Sequence, residues 1–321
     1  MDPTSAHQLD VASLIDGVRG GDRRAVARAI SLVEDGRPEL EQLSAGIYPN
    51  TGAASTIGIT GAPGVGKSTL AAAFVGAARN AGRRVAVLAV DPTSPYTGGA
   101  LLGDRVRMQE HATDPDVFIR SMATRGHLGG MALAAPEAVR ILDAAGYDLV
   151  IVETVGVGQA EVDVAAATDT ALVVLAPGLG DAVQMAKAGI LEVADVFVVN
   201  KADRDGAPEV VRELRQMLQL GDARAWDPPV LSTDAVGVEG IDELWSAVEA
   251  HRDWLTTSGA LDTKRRTRLL REVESLAAER FKLAAANALA AGGALADRLL
   301  QRETDPYRAA DELLRQISAD G

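Results

Sequence analysis

The run Gly61-Ala62-Pro63-Gly64-Val65-Gly66-Lys67-Ser68 leaves this chain few ways to fold. It fits the phosphate-loop pattern G-x-x-x-x-G-K-[ST], which needs a buried strand before it and a helix after it. Both are legible. Ile57-Gly58-Ile59-Thr60 reads as the strand, and Thr69-Leu70-Ala71-Ala72-Ala73-Phe74 as the start of the helix. The glycines let main-chain N–H groups curl around phosphate oxygens with no Cβ in the way. The helix N-terminus adds partial positive charge at the same place. In such a loop, spanning Gly61 to Thr69, Lys67 reaches the β- and γ-phosphates and the Ser68 hydroxyl ligates Mg²⁺.

From Ile57 to about Leu255, apolar runs alternate with helical patterns. Strands are expected at 57–60, 85–90, 116–120, 148–153, 170–175, 195–199 and 229–232, and helices at 67–80, 132–145, 181–192, 208–219 and 239–254. Continuous apolar runs imply strands covered on both faces. The fold class is therefore α/β, a P-loop NTPase with a largely parallel sheet, helices on both faces, and helical extensions at both ends. Residues 9–46 read as helical, with Val26, Ile30 and Val33 on one face. Residues 49–55 form a turn-rich joint, and Thr256-Thr257-Ser258-Gly259 marks a second break. The expected domains are an N-terminal helical extension (1–50), the nucleotide-binding domain (51–257) and a C-terminal helical arm (258–321). In the arm, Leu269, Leu270, Val273, Leu276 and Ala277 form an apolar stripe, which suits either packing on its own domain or dimerisation.

Asn200-Lys201-Ala202-Asp203 follows the apolar run Asp195–Val199. N-K-x-D at a strand end, downstream of a phosphate loop, points to guanine. An ionised Asp203 can accept from both N1–H and the 2-amino group, which adenine does not offer. Charge-assisted bonds of this kind contribute about 1.5–3 kcal/mol each, and a site built on them rejects an analogue lacking them by about 10⁴-fold. Asn200 is placed to buttress the loops and the Lys201 stem to cover the base. Ser232 and Thr233 end a later strand and suit the last base-contacting loop.

Mg²⁺ takes oxygen ligands. Beside Ser68, Asp91 and Glu153 each end an apolar strand at the carboxyl edge, where they are either metal-site acids or strand-end caps. Asp104 lies in the Gly-rich connection 97–107, read as a switch loop, where it is either a metal-site acid or a solvated loop acid. Glu153-Thr154-Val155-Gly156 resembles the D-x-x-G of a second switch, with Gly156 N–H on the γ-phosphate. Val157 stands where Ras-like proteins carry a water-orienting Gln. Gln159, two positions later, either takes over that catalytic role or is an ordinary exposed polar residue. Slow intrinsic hydrolysis follows, on the order of 10⁻⁴ s⁻¹ for unassisted small GTPases, which a supplied arginine raises by about 10³–10⁵-fold. Arg105, Arg107 and Arg125 are candidates within the chain.

The formal net charge of −13 argues against nucleic acid or an anionic membrane as main partner. Absence of cysteine excludes disulfides and thiolate metal sites. No signal-like start and no 18-residue apolar run is present, so a soluble cytoplasmic protein is expected.

Taken in order, GAPGVGKSTL, Val-Asp-Pro-Thr-Ser-Pro (90–95), Gly-Asp-Arg-Val-Arg-Met (103–108), the 120–130 run, Glu-Thr-Val-Gly-Val-Gly-Gln (153–159) and Asn-Lys-Ala-Asp (200–203) resemble the MeaB family, the bacterial G-protein chaperones of adenosylcobalamin-dependent methylmalonyl-CoA mutase. Older names for the family include ArgK-type transport ATPase or kinase. The resemblance spans nearly the whole chain. It implies a homodimer joined through C-terminal helices, GTP and GDP as ligands, and Mg²⁺ held at the positions of Ser68, Asp91, Asp104 and Glu153. It also implies gating of cofactor loading, protection of the mutase, and GTP hydrolysis accelerated by the mutase. Within 178–187 it implies a third switch, with Asp181, Gln184 and Lys187 as signalling residues; spacing alone reads them as the polar face of an ordinary helix. Two other classes stay open. A metal-insertion GTPase would carry Cys/His clusters, whereas His7, His111, His127 and His251 are scattered. A small-molecule kinase would need an acceptor site, and no motif for one is present.

Overall fold

The computed structural model of the chain describes residues 10–92, 111, 113–124, 131–154, 160–178, 190–221, 224–291 and 293–320. Three short helices open it: α1 (Val11–Arg19), α2 (Arg23–Asp35) and α3 (Glu39–Ile47). The helical run 9–46 is thus divided twice. Asp22 Oδ1 caps α2 by accepting from Arg24 and Ala25 N–H at 2.7 and 3.1 Å, and Gly36 ends it in the left-handed region at φ 58°.

The strands are β1 (Ser55–Thr60), β2 (Val85–Pro92), β3 (Val117–Thr124), β4 (Leu149–Thr154), β5 (Thr170–Leu175), β6 (Val196–Asn200) and β7 (Val230–Thr233). Among the described residues they form one seven-stranded sheet in the order β3-β2-β4-β1-β5-β6-β7, with every pairing parallel. Every residue of β5 and β6 is buried, which is why their sequences are unbroken apolar runs rather than alternating ones.

Helices α4 (Lys67–Asn80) and α9 (Ile241–Thr257) cover one face, where Phe74 and Trp245 meet at 5.4 Å between ring centroids. The opposite face is covered by α5 (Met131–Ala144), α6 (Ala160–Ala167) and α8 (Ala207–Leu220), with a one-turn helix α7 (Ile190–Val193) before β6. The first three helices join this second layer. Val18, Val26, Ile30, Leu43 and Ile47 share one buried cluster with Ile141 of α5 and Leu88 and Val150 of the sheet. Arg120 of β3 donates to Ser31 Oγ at 2.9 Å and pairs with Glu34, so α2 is also tied to the sheet edge by charge.

The tail is helical: α10 (Ala260–Ala291), α11 (Gly293–Leu300) and α12 (Pro306–Asp320). Two compact units result, Met1–Arg268 and Leu269–Gly321, with α10 beginning in the first and ending in the second. Within the second, Arg298 of α11 bonds Glu312 of α12 at 3.0 Å. Leu270 and Val273 are both 62 % exposed there. Among the described residues no helix is long and apolar enough to cross a membrane.

Candidate functional site: a phosphate loop clasped to a base-reading loop

The chain leaves β1 by one side of the sheet and later returns beside it as β5 on the other, so the order of strands reverses at β1. Crevices at the carboxyl ends of such strands bind ligands. The loop Gly61–Gly66 occupies that position. Gly61 has φ 140°, and a Cβ on it would stand 2.2 Å from the Val174 carbonyl oxygen, so only glycine lets the loop pass β5. Gly66, at φ 98°, caps α4, and its absent Cβ would fall 2.4 Å from Asn200 Nδ2.

Lys67 and Ser68 begin α4 and are both buried. The Lys67 ammonium donates to the carbonyls of Gly61 at 2.7 Å and Ala62 at 3.1 Å, so its charge is held by the main chain at the start of the loop. Ser68 Oγ donates to Glu153 Oε1 at 2.5 Å. Glu153 is buried in β4, paired in register with Ile59 of β1 and Ala89 of β2. Hydroxyl and carboxylate oxygens thus meet one residue past the loop lysine, a donor pair of the hard oxygen type that suits Mg²⁺.

The segment Asn200–Asp203 is locked to the same loop. Asn200 Nδ2 donates to the Val65 carbonyl at 2.8 Å. Its Oδ1 accepts from Thr233 Oγ1 and from Ala235 N–H, both at 3.2 Å. Lys201 holds a left-handed backbone (φ 60°) and its ammonium donates to the Gly64 carbonyl at 2.6 Å. Ala202 N–H donates to the Thr233 carbonyl at 3.0 Å, with Asn200 and Thr233 facing each other across β6 and β7. Asp203 and Ser232 are exposed at the rim, as are Pro63 and Gly64.

The structure therefore joins the loop Gly61–Ser68 to Glu153, Asn200, Lys201 and Thr233, with Asp203 and Ser232 as chain neighbours of that set. Asp91 is the penultimate residue of β2, in register with Ala123 of β3. Asp104, Gly156, Gln159, Asp181, Gln184 and Lys187 lie outside the described residues, as do Arg105, Arg107 and Arg125. One contributor went unread in the sequence. The Ala235 N–H joins Asn200 Oδ1, as the Val65 carbonyl of the expected loop joins Nδ2, and a main-chain group carries no residue-type signal.

Residues 26–290 match the family described as methylmalonyl-CoA mutase-associated GTPase MeaB. The chain belongs to the MeaB family. A Pyrococcus abyssi protein with a GTPase name is 48 % identical over 317 residues, 97 % of this chain and 98 % of its own. The mouse mitochondrial methylmalonic aciduria type A homolog is 37 % identical over 279 residues, covering 81 % of this chain and 67 % of its own. A solved structure described as LAO/AO transport system kinase superposes with a TM-score of 0.71 at 29 % identity, over 96 % of this chain and 97 % of that one. As a MeaB-family member the chain is a P-loop GTPase, with GTP as substrate and GDP as product.

Proposed function

We propose that this GTPase gates adenosylcobalamin loading of methylmalonyl-CoA mutase and protects the mutase, with the residues above as its nucleotide site. The family description, with its association to that mutase, supports the partner. The observation that carries the site is the 2.5 Å bond from Ser68 to Glu153, which joins the phosphate loop to the end of β4.

In this reading the main-chain amides of Gly61 to Thr69 hold the β- and γ-phosphates. The Lys67 ammonium exchanges the Gly61 and Ala62 carbonyls for phosphate oxygens. Ser68 and Glu153, with Asp91 and Asp104, would hold Mg²⁺, which would supply positive charge against the phosphates. Asp203 accepts from guanine N1–H and the 2-amino group, the Lys201 stem covers the base, and the Ser232–Thr233 loop presents main-chain N–H to the guanine oxygen. Water attacks the γ-phosphorus in line, the bond to the β–γ bridging oxygen breaks, and GDP and phosphate leave. Gln159 orients that water, and Gly156 senses the γ-phosphate. Asp181, Gln184 and Lys187 relay nucleotide state to the mutase. Exposed apolar side chains at Leu270 and Val273 support a homodimer built on the C-terminal helices. The working compartment is the cytoplasm.

The test is GTP turnover with and without purified adenosylcobalamin-dependent methylmalonyl-CoA mutase. Acceleration by the mutase is expected. No acceleration, with phosphate instead transferred to a small acceptor, would replace this reading with a kinase.

A further inference from the structure

The opposite edge of the sheet carries a second polar cluster that the proposed site does not use. Asp169, just before β5, is buried. Its N–H donates to Thr56 Oγ1 at 2.8 Å and to the Thr56 carbonyl at 3.0 Å, and its Oδ2 accepts from Thr56 N–H at 3.2 Å. Asp169 therefore fixes the base of β5 to the base of β1. Three cations from the first turns of α10 close on it. Arg265 donates to Oδ2 at 2.7 Å and to Oδ1 at 3.2 Å, Arg268 reaches Oδ1 at 3.2 Å, and Lys264 takes the Asp169 carbonyl at 2.7 Å. Arg265 also donates to the Gly52 and Ala54 carbonyls at 2.6 and 2.8 Å, on the approach to β1. Lys264 bonds Asp195, ahead of β6, at 2.9 Å.

These are the bases of β1, β5 and β6; the carboxyl end of β1 carries the phosphate loop and that of β6 the base-reading loop, with β5 between them. β1 and β5 are in register from Ile57↔Thr170 to Thr60↔Val173, and directly beyond it Gly61 passes β5 with no room for a Cβ. The strand pair is pinned below by Asp169 and wedged above at Gly61. Loop amides must meet phosphate oxygens within about 0.5 Å to be productive, and misplacement by about 1 Å can cost about 100-fold. A clasp that sets the axial position of β1 against β5 thus acts on the loop from roughly 17 Å away, five residues of strand rise.

We infer that Arg265 is a positioning residue for GTP, acting through Asp169 and the β1–β5 pair, so that docking of the α10 root and nucleotide binding favour one another. This rests on the reading that Gly61 to Thr69 holds GTP. Coupling of binding equilibria is reciprocal: GTP must tighten the clasp by the factor by which the clasp tightens GTP.

Two measurements on the full chain test it. Hydrogen exchange with and without a non-hydrolysable GTP analogue should show slowed exchange at 61–69 and also at 260–268. Steady-state kinetics of Arg265→Lys and Asp169→Asn should show KM for GTP raised about tenfold with kcat held, about 1.4 kcal/mol. A merely structural role lowers the active fraction, so kcat falls and KM stays. Protection at 61–69 with none at 260–268, or variants that lose kcat alone, would overturn the inference and leave the nucleotide site standing. No protection at 61–69 would overturn both. The exchange measurement uses the unmodified chain, so it decides even if a variant fails to fold.

Discussion

Arg265 Nη2 stands 2.7 Å from Oδ2 of Asp169, joining the second turn of α10 to a buried carboxylate ninety-six positions earlier in the chain. Burial alone would raise the Asp169 carboxyl. The Arg265 hydrogen bond and the charges of Arg268 and Arg265 outweigh it, holding the group below the ordinary carboxylate range. A carboxylate so placed is stable only with its partners. Removing one side of a buried pair costs about 3–5 kcal/mol.

The position of a truncation therefore matters. A chain ending after Thr257 loses Lys264, Arg265 and Arg268 and leaves Asp169 uncompensated, so urea unfolding should show about 3–5 kcal/mol less stability. A chain ending after Arg268 keeps the clasp and should unfold like the full chain, while sedimenting as a monomer if the C-terminal helices form the dimer. A dimer in that second chain would exclude the arm from assembly.

Asn200→Ala removes the bonds to Val65, Thr233 and Ala235 together. Leaving buried main-chain groups unpaired costs about 1–3 kcal/mol, and the phosphate loop and base loop lose their common tie. GTP affinity, measured by calorimetry, should fall about tenfold or more.

Gly66→Ala should abolish nucleotide binding in a chain that still folds. The new Cβ would meet Asn200 Nδ2 at 2.4 Å in a backbone of φ 98°. Fluorescence of Trp245, packed on Phe74 of α4, offers the reading: a GTP-induced change in the unmodified chain and none in the variant.

His251 gives stability a pH dependence. It is buried against Trp226 at 4.8 Å between centroids, with Nδ1 2.9 Å from Thr170 Oγ1. Burial pushes its pKa below the ordinary histidine value; Asp195 and Asp169 pull it up and Lys264 pushes it down, without cancelling the shift. Below about pH 6.5 the unfolded chain then binds more protons than the folded one, so this contribution is present above that pH and lost as pH falls toward the depressed folded value. The melting temperature should drop on acidification from about pH 7.5 to about pH 5.5, and drop less in His251→Gln. Equal drops would remove His251 as the cause.

Much of the fold was legible because its signals are local. The loop 61–68 dictates strand, turn and helix, and α4 spans the expected 67–80. The buried strands announced themselves as apolar runs, though β3 continues to Thr124 where its sequence turns polar at Arg120 and Ser121. Helix α6 went unread because Glu161 and Asp163 fall among the small apolar residues of Ala160–Ala167 without marking out one face. Strand order and the clasp were not legible at all. Asp169 and Arg265 are joined only by the fold, although an acid directly ahead of a buried run, as at Asp169 and Asp195, is a trace that could have drawn attention to both.

Guanine selectivity at this site rests on its phosphate loop together with Asp203. Calorimetric titration of GTP and ATP into the chain and into Asp203→Asn tests it most directly. GTP should bind far more tightly than ATP, with that preference lost in the variant. Equal affinity for the two nucleotides in the unmodified chain, or a preference that survives Asp203→Asn, would contradict it.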